Sequence, residues 1–130
     1  MNVLSFTKLL GFALVIIGIA GFFTGTTLVF FQVDSAQNIF HIVTGILASI
    51  AAAREKPQFM LMLIGLLYAF IAVTGLIHFG DIFGITEVNP ADNLLHIIIA
   101  IGCIFFGLTP QKKETFPSER TSPPDAPTDL

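Results

Sequence analysis

An all-α transmembrane bundle of four helices is the fold class that the sequence predicts, and three observations predict it. The chain has 130 residues, of which 54% are hydrophobic and 12% are charged, and its mean hydropathy is +0.84. Four stretches are long and apolar enough to cross a bilayer, which takes about 20 helical residues. Two helix starts share one plan, in which Asn is followed three positions later by His. A soluble domain of this length would carry more charge.

The predicted spans cover residues 4–23, 35–53, 58–80 and 90–109. The link between the second and third spans is only Arg54-Glu55-Lys56-Pro57, so these two helices must form an antiparallel hairpin. Residues 24–33 are β-branched and aromatic, which favours an extended or interfacial connection. A longer first helix is the alternative for this stretch. Together the spans form one predicted membrane domain, residues 1–109.

The positions of the basic residues predict the orientation of the chain. All six fall on one side of a four-span arrangement: Lys8, Arg54, Lys56, Lys112, Lys113 and Arg120. The opposite loops carry Asp34, Asp81 and Glu87 instead, and we interpret Asp81 and Glu87 as solvated loop charges. Cytoplasmic loops of membrane proteins are enriched in Lys and Arg. We therefore expect both termini in the cytoplasm and both Asn-x-x-His motifs at the outer face.

The remaining features exclude some classes and leave others open. Residues 110–130 are polar and rich in proline, which predicts a disordered cytoplasmic tail, with a docking segment as the alternative. A net charge of −3 with no basic stripe argues against nucleic acid as a partner. Cys103 lies in an apolar run and is expected to be an inert buried thiol. The apolar start is also typical of a cleaved signal peptide, but the repeat described below needs that first span.

Capping residues mark the start of the second and fourth helices. In the later copy Asn89 is the predicted N-cap, Pro90 takes the first helical position, and Asp92 lies at the third. In the earlier copy Asp34 is the N-cap and Gln37 takes the third position, as in a capping box. The two starts are thus equivalent.

Each helix start is followed by an Asn and a His on the same helical face. Asn38 and His41 occupy the positions in the second helix that Asn93 and His96 occupy in the fourth, 55 residues later. The preceding spans align at an offset of 54, which pairs Gly21 with Gly75. We interpret this as two tandem hairpins forming a parallel internal repeat about an axis along the membrane normal. Such a repeat puts both histidines at one depth, in the outer leaflet.

Small residues accompany the polar ones on these helices. Small side chains let helices approach closely in lipid, where packing drives association. The predicted helix-packing positions are Gly11, Gly18, Gly21, Gly25, Gly45, Gly65, Gly75, Ala100 and Gly107. Asn and His facing hydrocarbon would be costly, so we expect both motifs to face the bundle interior.

At these motifs the chain resembles a known family. The matching stretches are Asn38-Ile39-Phe40-His41 with Val43-Thr44-Gly45 after it, and Asn89-Pro90-Ala91-Asp92-Asn93-Leu94-Leu95-His96. They resemble a bacterial family of small four-helix membrane proteins catalogued only as a domain of unknown function, over roughly residues 9–108. The resemblance implies a four-span membrane architecture and supplies no reaction. We expect the protein to lie in the bacterial inner membrane.

Three functional interpretations follow from the polar motif, whose members are Asn38, His41, Asn89, Asp92, Asn93 and His96. In the first, these side chains tie the outer ends of the bundle in a non-enzymatic membrane component without a cofactor. In the second, His41 and His96 hold haem b or a transition metal. In the third, an oligomer handles protons or transports a solute. No phosphate loop, serine elbow or catalytic dyad is visible in the sequence.

The expected surroundings are the same in all three interpretations. The chain contacts the lipid bilayer, and a homo-oligomer or another membrane protein is a candidate partner. His78, at the outer end of the third span, has no counterpart in the first hairpin, where Thr24 stands. We expect it to be an interfacial residue.

Overall fold

Within its described residues, the protein consists of four long helices and two short β-hairpins. The structure, a computed structural model, describes residues 1–110, so the predicted tail lies outside the described residues from residue 111 on. The elements in chain order are α1 (Val3–Gly21), β1 (Thr27–Leu28), β2 (Phe31–Gln32), α2 (Ser35–Ala53), α3 (Pro57–Ile77), β3 (Asp81–Ile82), β4 (Thr86–Glu87) and α4 (Pro90–Leu108). All four helices are long and apolar enough to cross a membrane. The predicted all-α four-helix bundle is thereby confirmed.

The helix ends differ from the predicted spans where the chain turns. α1 ends at Gly21 with Phe22 as its C-cap, so the first helix is not lengthened into the following loop. α3 ends at Ile77 rather than at Gly80. There Phe79 and Gly80 both have positive φ, 53° and 102°, which a right-handed helix does not accommodate.

The capping residues form the hydrogen bonds that helix starts require. The Asp34 side chain accepts from Gln37 N at 2.8 Å at the start of α2. At α4 the exchange is reciprocal: Asn89 Oδ1 accepts from Asp92 N at 3.0 Å, and Asp92 Oδ2 accepts from Asn89 N at 2.7 Å. Gln37 does not complete such a box, because its Oε1 has no hydrogen-bond partner among the described residues.

The loop between α1 and α2 and the loop between α3 and α4 are both β-hairpins, which refines the expectation of an extended or interfacial connection over residues 24–33. β1 pairs with β2 across a two-residue turn, Val29–Phe30, and β3 pairs with β4 across a three-residue turn, 83–85. The flanking bonds correspond, since Val33 N donates to Thr26 O at 3.0 Å and Val88 N donates to Gly80 O at 2.8 Å. The β3–β4 turn has one residue more than the β1–β2 turn. Corresponding residues are therefore 54 positions apart before the hairpins and 55 positions apart after them.

Glycines let the helices pack as pairs, α1 with α2 and α3 with α4. A Cβ on Gly45 would lie 2.8 Å from the carbonyl oxygen of Gly11, and one on Gly65 would lie 3.0 Å from Cys103 Cβ. Four further glycines also lie against a neighbouring helix: Gly18, Gly21, Gly75 and Gly107. Ala100 is buried in the core. Gly25 differs from the prediction. It lies in the loop before β1 with φ +78° and open space around it, so it serves the turn and packs no helix.

Apolar side chains occupy both the inside and the outside of the bundle. Leu14, Leu61 and Tyr68 are at most 1% exposed and belong to one core cluster. Large apolar residues such as Phe12 and Phe105 are about two-thirds exposed on the outer faces of their helices. A surface this apolar suits contact with lipid, since soluble monomers rarely expose such large apolar patches.

Candidate functional site

The two motif histidines meet inside the bundle. His41 on α2 and His96 on α4 are 3% and 2% exposed, and their ring centroids lie 6.0 Å apart. The Tyr68 ring from α3 lies against both, with centroids 6.1 Å from His41 and 5.4 Å from His96. Three helices thus contribute one ring each to a closed aromatic cluster.

Hydrogen bonds fix the tyrosine of this cluster. Thr44, one turn further along α2 than Phe40, lies with its Oγ1 2.8 Å from Phe40 O and 3.1 Å from the Tyr68 hydroxyl. If Thr44 donates its single proton to the carbonyl, Tyr68 must donate to Thr44. The Tyr68 hydroxyl then forms its hydrogen bond with Thr44 and not with a histidine. The two imidazoles contact the ring of Tyr68.

The imidazoles themselves have no hydrogen-bond partner among residues 1–110. This holds for Nδ1 and Nε2 of both His41 and His96, all four of which are buried. A buried polar atom left without a partner costs about 1–3 kcal/mol. The cross-helix hydrogen bonds expected of these rings are therefore not made within the described part of the chain. Their ring nitrogens could thus bind a group from outside it.

A second pair of polar side chains lies one helical turn outward from the histidines. Gln37 precedes His41 by four positions, and Asp92 precedes His96 by four, so each shares its helix face with the histidine. Both are buried, at 4% and 1% exposure. Gln37 Oε1 and Asp92 Oδ1 also have no hydrogen-bond partner among the described residues. We call these four residues the axial polar column.

Above the column, hydrogen bonds join the two halves of the chain. Asp92 Oδ2 accepts from Gln32 N at 3.2 Å, and Asn89 Nδ2 donates to Phe30 O at 2.9 Å. Thr86 Oγ1 donates to the second carboxylate oxygen of Asp34. We call this set of contacts the outer cap, whose members are Phe30, Gln32, Asp34, Thr86, Glu87, Asn89 and Asp92.

Gln32 and Glu87 close the outer cap, with Gln32 Nε2 donating to Glu87 Oε2 at 3.3 Å. They stand 55 positions apart, as His41 and His96 do. Sequence reasoning named Asn89 and Asp92 but missed Gln32, Phe30 and Thr86. One signal in the sequence could have identified the first of these. Gln32 and Glu87 are 55 positions apart, as the two histidines are, and each precedes an N-cap by two positions.

The motif asparagines lie beside glycines rather than beside each other. A Cβ on Gly21 would overlap the Asn38 side chain, and a Cβ on Gly75 would overlap that of Asn93. Each asparagine is therefore packed against the helix that precedes it in the chain. The amide oxygens of both asparagines have no hydrogen-bond partner within residues 1–110. Contact with a glycine Cα–H, a weak donor, is the interaction that this packing offers them.

An acidic cleft opens above the outer cap. It has a volume of about 410 Å³ and lies between the two β-hairpins. Its lining includes the carboxylates of Asp34, Asp81 and Glu87 together with Gln32. Asp81 and Glu87 are exposed, as expected for loop charges. His78 is exposed as well, with its ring 5.9 Å from that of Phe83, so it stays outside the aromatic cluster.

A porphyrin held between His41 and His96 would overlap Tyr68. A haem held by two imidazoles extends its macrocycle sideways between the rings, and Tyr68 fills that side at 5.4 and 6.1 Å. Within residues 1–110 no group of three or more His, Cys, Asp or Glu side chains is arranged to hold a metal. Any ion at this position would therefore have the two histidines as its side-chain nitrogen ligands.

Comparison with known protein families identifies the family to which this chain belongs. Residues 5–109, which span all four helices and both hairpins, match the family described as Domain of unknown function (DUF4383). No curated protein and no solved structure matches the chain. The match covers most of the chain and includes both Asn-x-x-His motifs. The chain therefore belongs to the family described as Domain of unknown function (DUF4383).

Proposed function

We propose that the protein is a non-enzymatic component of the bacterial inner membrane, with both termini in the cytoplasm and the outer cap on the extracytoplasmic side. The observation that carries this proposal is the set of hydrogen bonds by which the first outer loop and the start of α4 hold each other. They make the two hairpins one unit at one end. Such a cap presents a fixed polar surface to a partner outside the membrane.

The distribution of charge supports the orientation. Arg54 and Lys56 are exposed in the turn between α2 and α3, at the end opposite the outer cap. The outer cap and its cleft carry Asp34, Asp81 and Glu87. Lys and Arg near the ends of spans favour the cytoplasmic side, whereas acidic residues contribute little to orientation.

The packing around the histidines supports a non-enzymatic role. Phe40 and Tyr68 contact each other at 5.2 Å between centroids, and Tyr68 contacts both imidazoles. The two imidazoles are 3% and 2% exposed, so they present almost no surface to an organic substrate. The polar motif is thus an internal feature, and the outer cap is the polar surface open to partners.

Cysteine labelling in whole cells tests the orientation. In a Cys103→Ala background, Ile85→Cys introduces a thiol in the exposed β3–β4 turn, and Glu55→Cys introduces one in the exposed α2–α3 turn. We expect a membrane-impermeant maleimide to label the Ile85 variant in intact spheroplasts and the Glu55 variant only after lysis. Labelling of the Glu55 variant alone before lysis would reverse the proposed orientation.

A co-purification experiment tests the role of the outer cap. Thr86→Val removes the hydroxyl that donates to Asp34. Thr109→Val removes one that, among the described residues, donates to Phe105 O at 2.9 Å in the last turn of α4. We expect mild cross-linking to capture a partner protein with the native chain and the Thr109 variant, and less of it with the Thr86 variant. Equal capture by all three would remove the outer cap as the contact surface.

A further inference from the structure

The axial polar column carries six buried polar atoms without a hydrogen-bond partner among residues 1–110. They are Gln37 Oε1, Asp92 Oδ1 and the four ring nitrogens of His41 and His96. Oxygen and imidazole nitrogen are the atom types that coordinate cations. All four side chains are at least 96% buried, so their polar atoms are directed into the bundle rather than toward water or lipid.

We propose that His41 and His96 bind one monovalent copper ion, Cu(I), between their rings. A metal–nitrogen bond of about 2 Å, and a ring nitrogen roughly 1 Å from its centroid, give about 6 Å between two imidazoles that share one ion. The observed separation of the centroids is 6.0 Å. Both rings are neutral donors, and closed-shell Cu(I) accepts two nitrogen ligands without a third.

The charge of the column selects a monovalent ion over a divalent one. Asp92 is the only carboxylate of the four residues, and it lies one turn outward from His96. One positive charge beside one carboxylate leaves the column neutral, whereas Zn²⁺ would leave a net positive charge away from water. An uncompensated charge is expensive inside a membrane protein. Gln37 offers a further oxygen but no charge.

The acidic cleft gives the ion a route of approach. Gln32 lines the cleft and also donates its backbone N–H to Asp92 Oδ2, so this residue connects the cleft to the column. Its three carboxylates, Asp34, Asp81 and Glu87, raise the local concentration of cations. The column then continues inward through Asp92 to the histidines.

The inner end of the column is closed by Tyr68. The Tyr68 and His96 rings meet at an interplanar angle of 66°, and the Tyr68 and His41 rings are nearly parallel, at 22°. The ring contacts hold both imidazoles in place without using their nitrogens. Cys103 is fully buried two turns beyond His96 on α4, beyond this aromatic layer, so the site is assigned nitrogen ligands and no sulfur.

Competition with a colorimetric Cu(I) chelator on the full chain in detergent, under reducing conditions, tests the site. We expect one Cu(I) per chain, retained by the His78→Ala variant, whose exposed histidine serves as the matched control. A His41→Leu, His96→Leu double variant should bind none, and Asp92→Asn should lower the affinity about tenfold. Leucine fills the volume of each ring without leaving a polar atom unpaired, so the double variant should stay folded, which circular dichroism checks.

Two further readouts decide the outcome independently of folding of the variants. X-ray absorption on the native protein with Cu(I) should show two imidazole nitrogens and no sulfur. Cu(I) should also raise the melting temperature of the native protein and of the His78→Ala variant, but not that of the double variant. The proposal is overturned if the double variant keeps the Cu(I), if sulfur ligation is seen, or if Zn²⁺ binds as tightly as Cu(I). It is also overturned if the native protein binds no metal, in which case the histidines are bridged by water.

Discussion

His41 and His96 face each other at 6.0 Å between ring centroids, although they stand 55 positions apart in the chain. Gln32 and Glu87, another pair at this offset, are hydrogen-bonded to each other at the outer end. Two pairs with one offset, both meeting between the halves, support the predicted parallel repeat. In such a repeat, residues that meet their own counterparts lie on the axis.

Removing the Asp92 carboxylate should weaken the outer cap. We expect Asp92→Ala to lower the free energy of unfolding in detergent by about 3 kcal/mol, because Oδ2 accepts from both Gln32 N and Asn89 N. Asp81→Ala is the control, since Asp81 bonds locally to Gly84 N and should cost about 1 kcal/mol. Chemical unfolding measures both losses. Equal losses for the two variants would mean that the bond from Gln32 N to Asp92 does not stabilise the protein.

The glycine beside each motif asparagine should not tolerate a side chain. Gly21→Ala and Gly75→Ala should each destabilise the protein by about 1–3 kcal/mol, because the new methyl group overlaps Asn38 or Asn93. Combining Gly21→Ala with Asn38→Ala should cost less than the sum of the single changes, since the two sites are in contact. Thermal unfolding of the four variants measures this coupling, and strict additivity would argue against the contact.

Glycine should be more stable than valine in both hairpin turns, because each turn holds a residue with positive φ. Val29 is β-branched, exposed, and has φ 57°, so Val29→Gly should stabilise the protein by about 1 kcal/mol. Gly84 occupies φ 69° in the other turn, and Gly84→Val should cost about 1–2 kcal/mol. A loss of stability for Val29→Gly in the same unfolding assay would contradict the left-handed turn.

Removing the ring of Tyr68 should cost more stability than removing its hydroxyl. Tyr68→Phe should cost about 1 kcal/mol, the contribution of one hydrogen bond to Thr44. Tyr68→Ala should cost about 3–5 kcal/mol, because it leaves a cavity beside both histidines. If the two variants melted at the same temperature, the ring would not be packed as described.

The sequence predicted the helices well because each has a local signal. Asp34 and Asn89 are N-caps in the structure as they were expected to be from their side chains, and Pro57 begins α3 after the short turn. Apolar runs of about 20 residues left little choice of secondary structure for the spans. The inward placement of His41 and His96 followed from the cost of polar groups in lipid.

The outer loops and their contacts could not be predicted in the same way. Strands of two residues, such as Thr27–Leu28, are too short to show the alternation that marks a strand. The bond between Gln32 and Asp92 joins residues 60 positions apart, which a pattern along one chain does not encode. Gly25 looked like a packing residue because of its spacing from Gly21, yet the helix ends before it.

Cross-linking across the outer cap tests most directly the central claim that the two halves meet there. In a Cys103→Ala background, Gln32→Cys and Glu87→Cys should be joined within one chain by a short bis-maleimide, since these side chains are hydrogen-bonded at 3.3 Å. The pair Gln32→Cys and Phe59→Cys, with the second thiol near the start of α3 at the opposite end, is the control and should not react. Efficient intramolecular cross-linking of the first pair alone is the predicted result. Failure of that pair to cross-link, in a protein that still folds, would contradict the account.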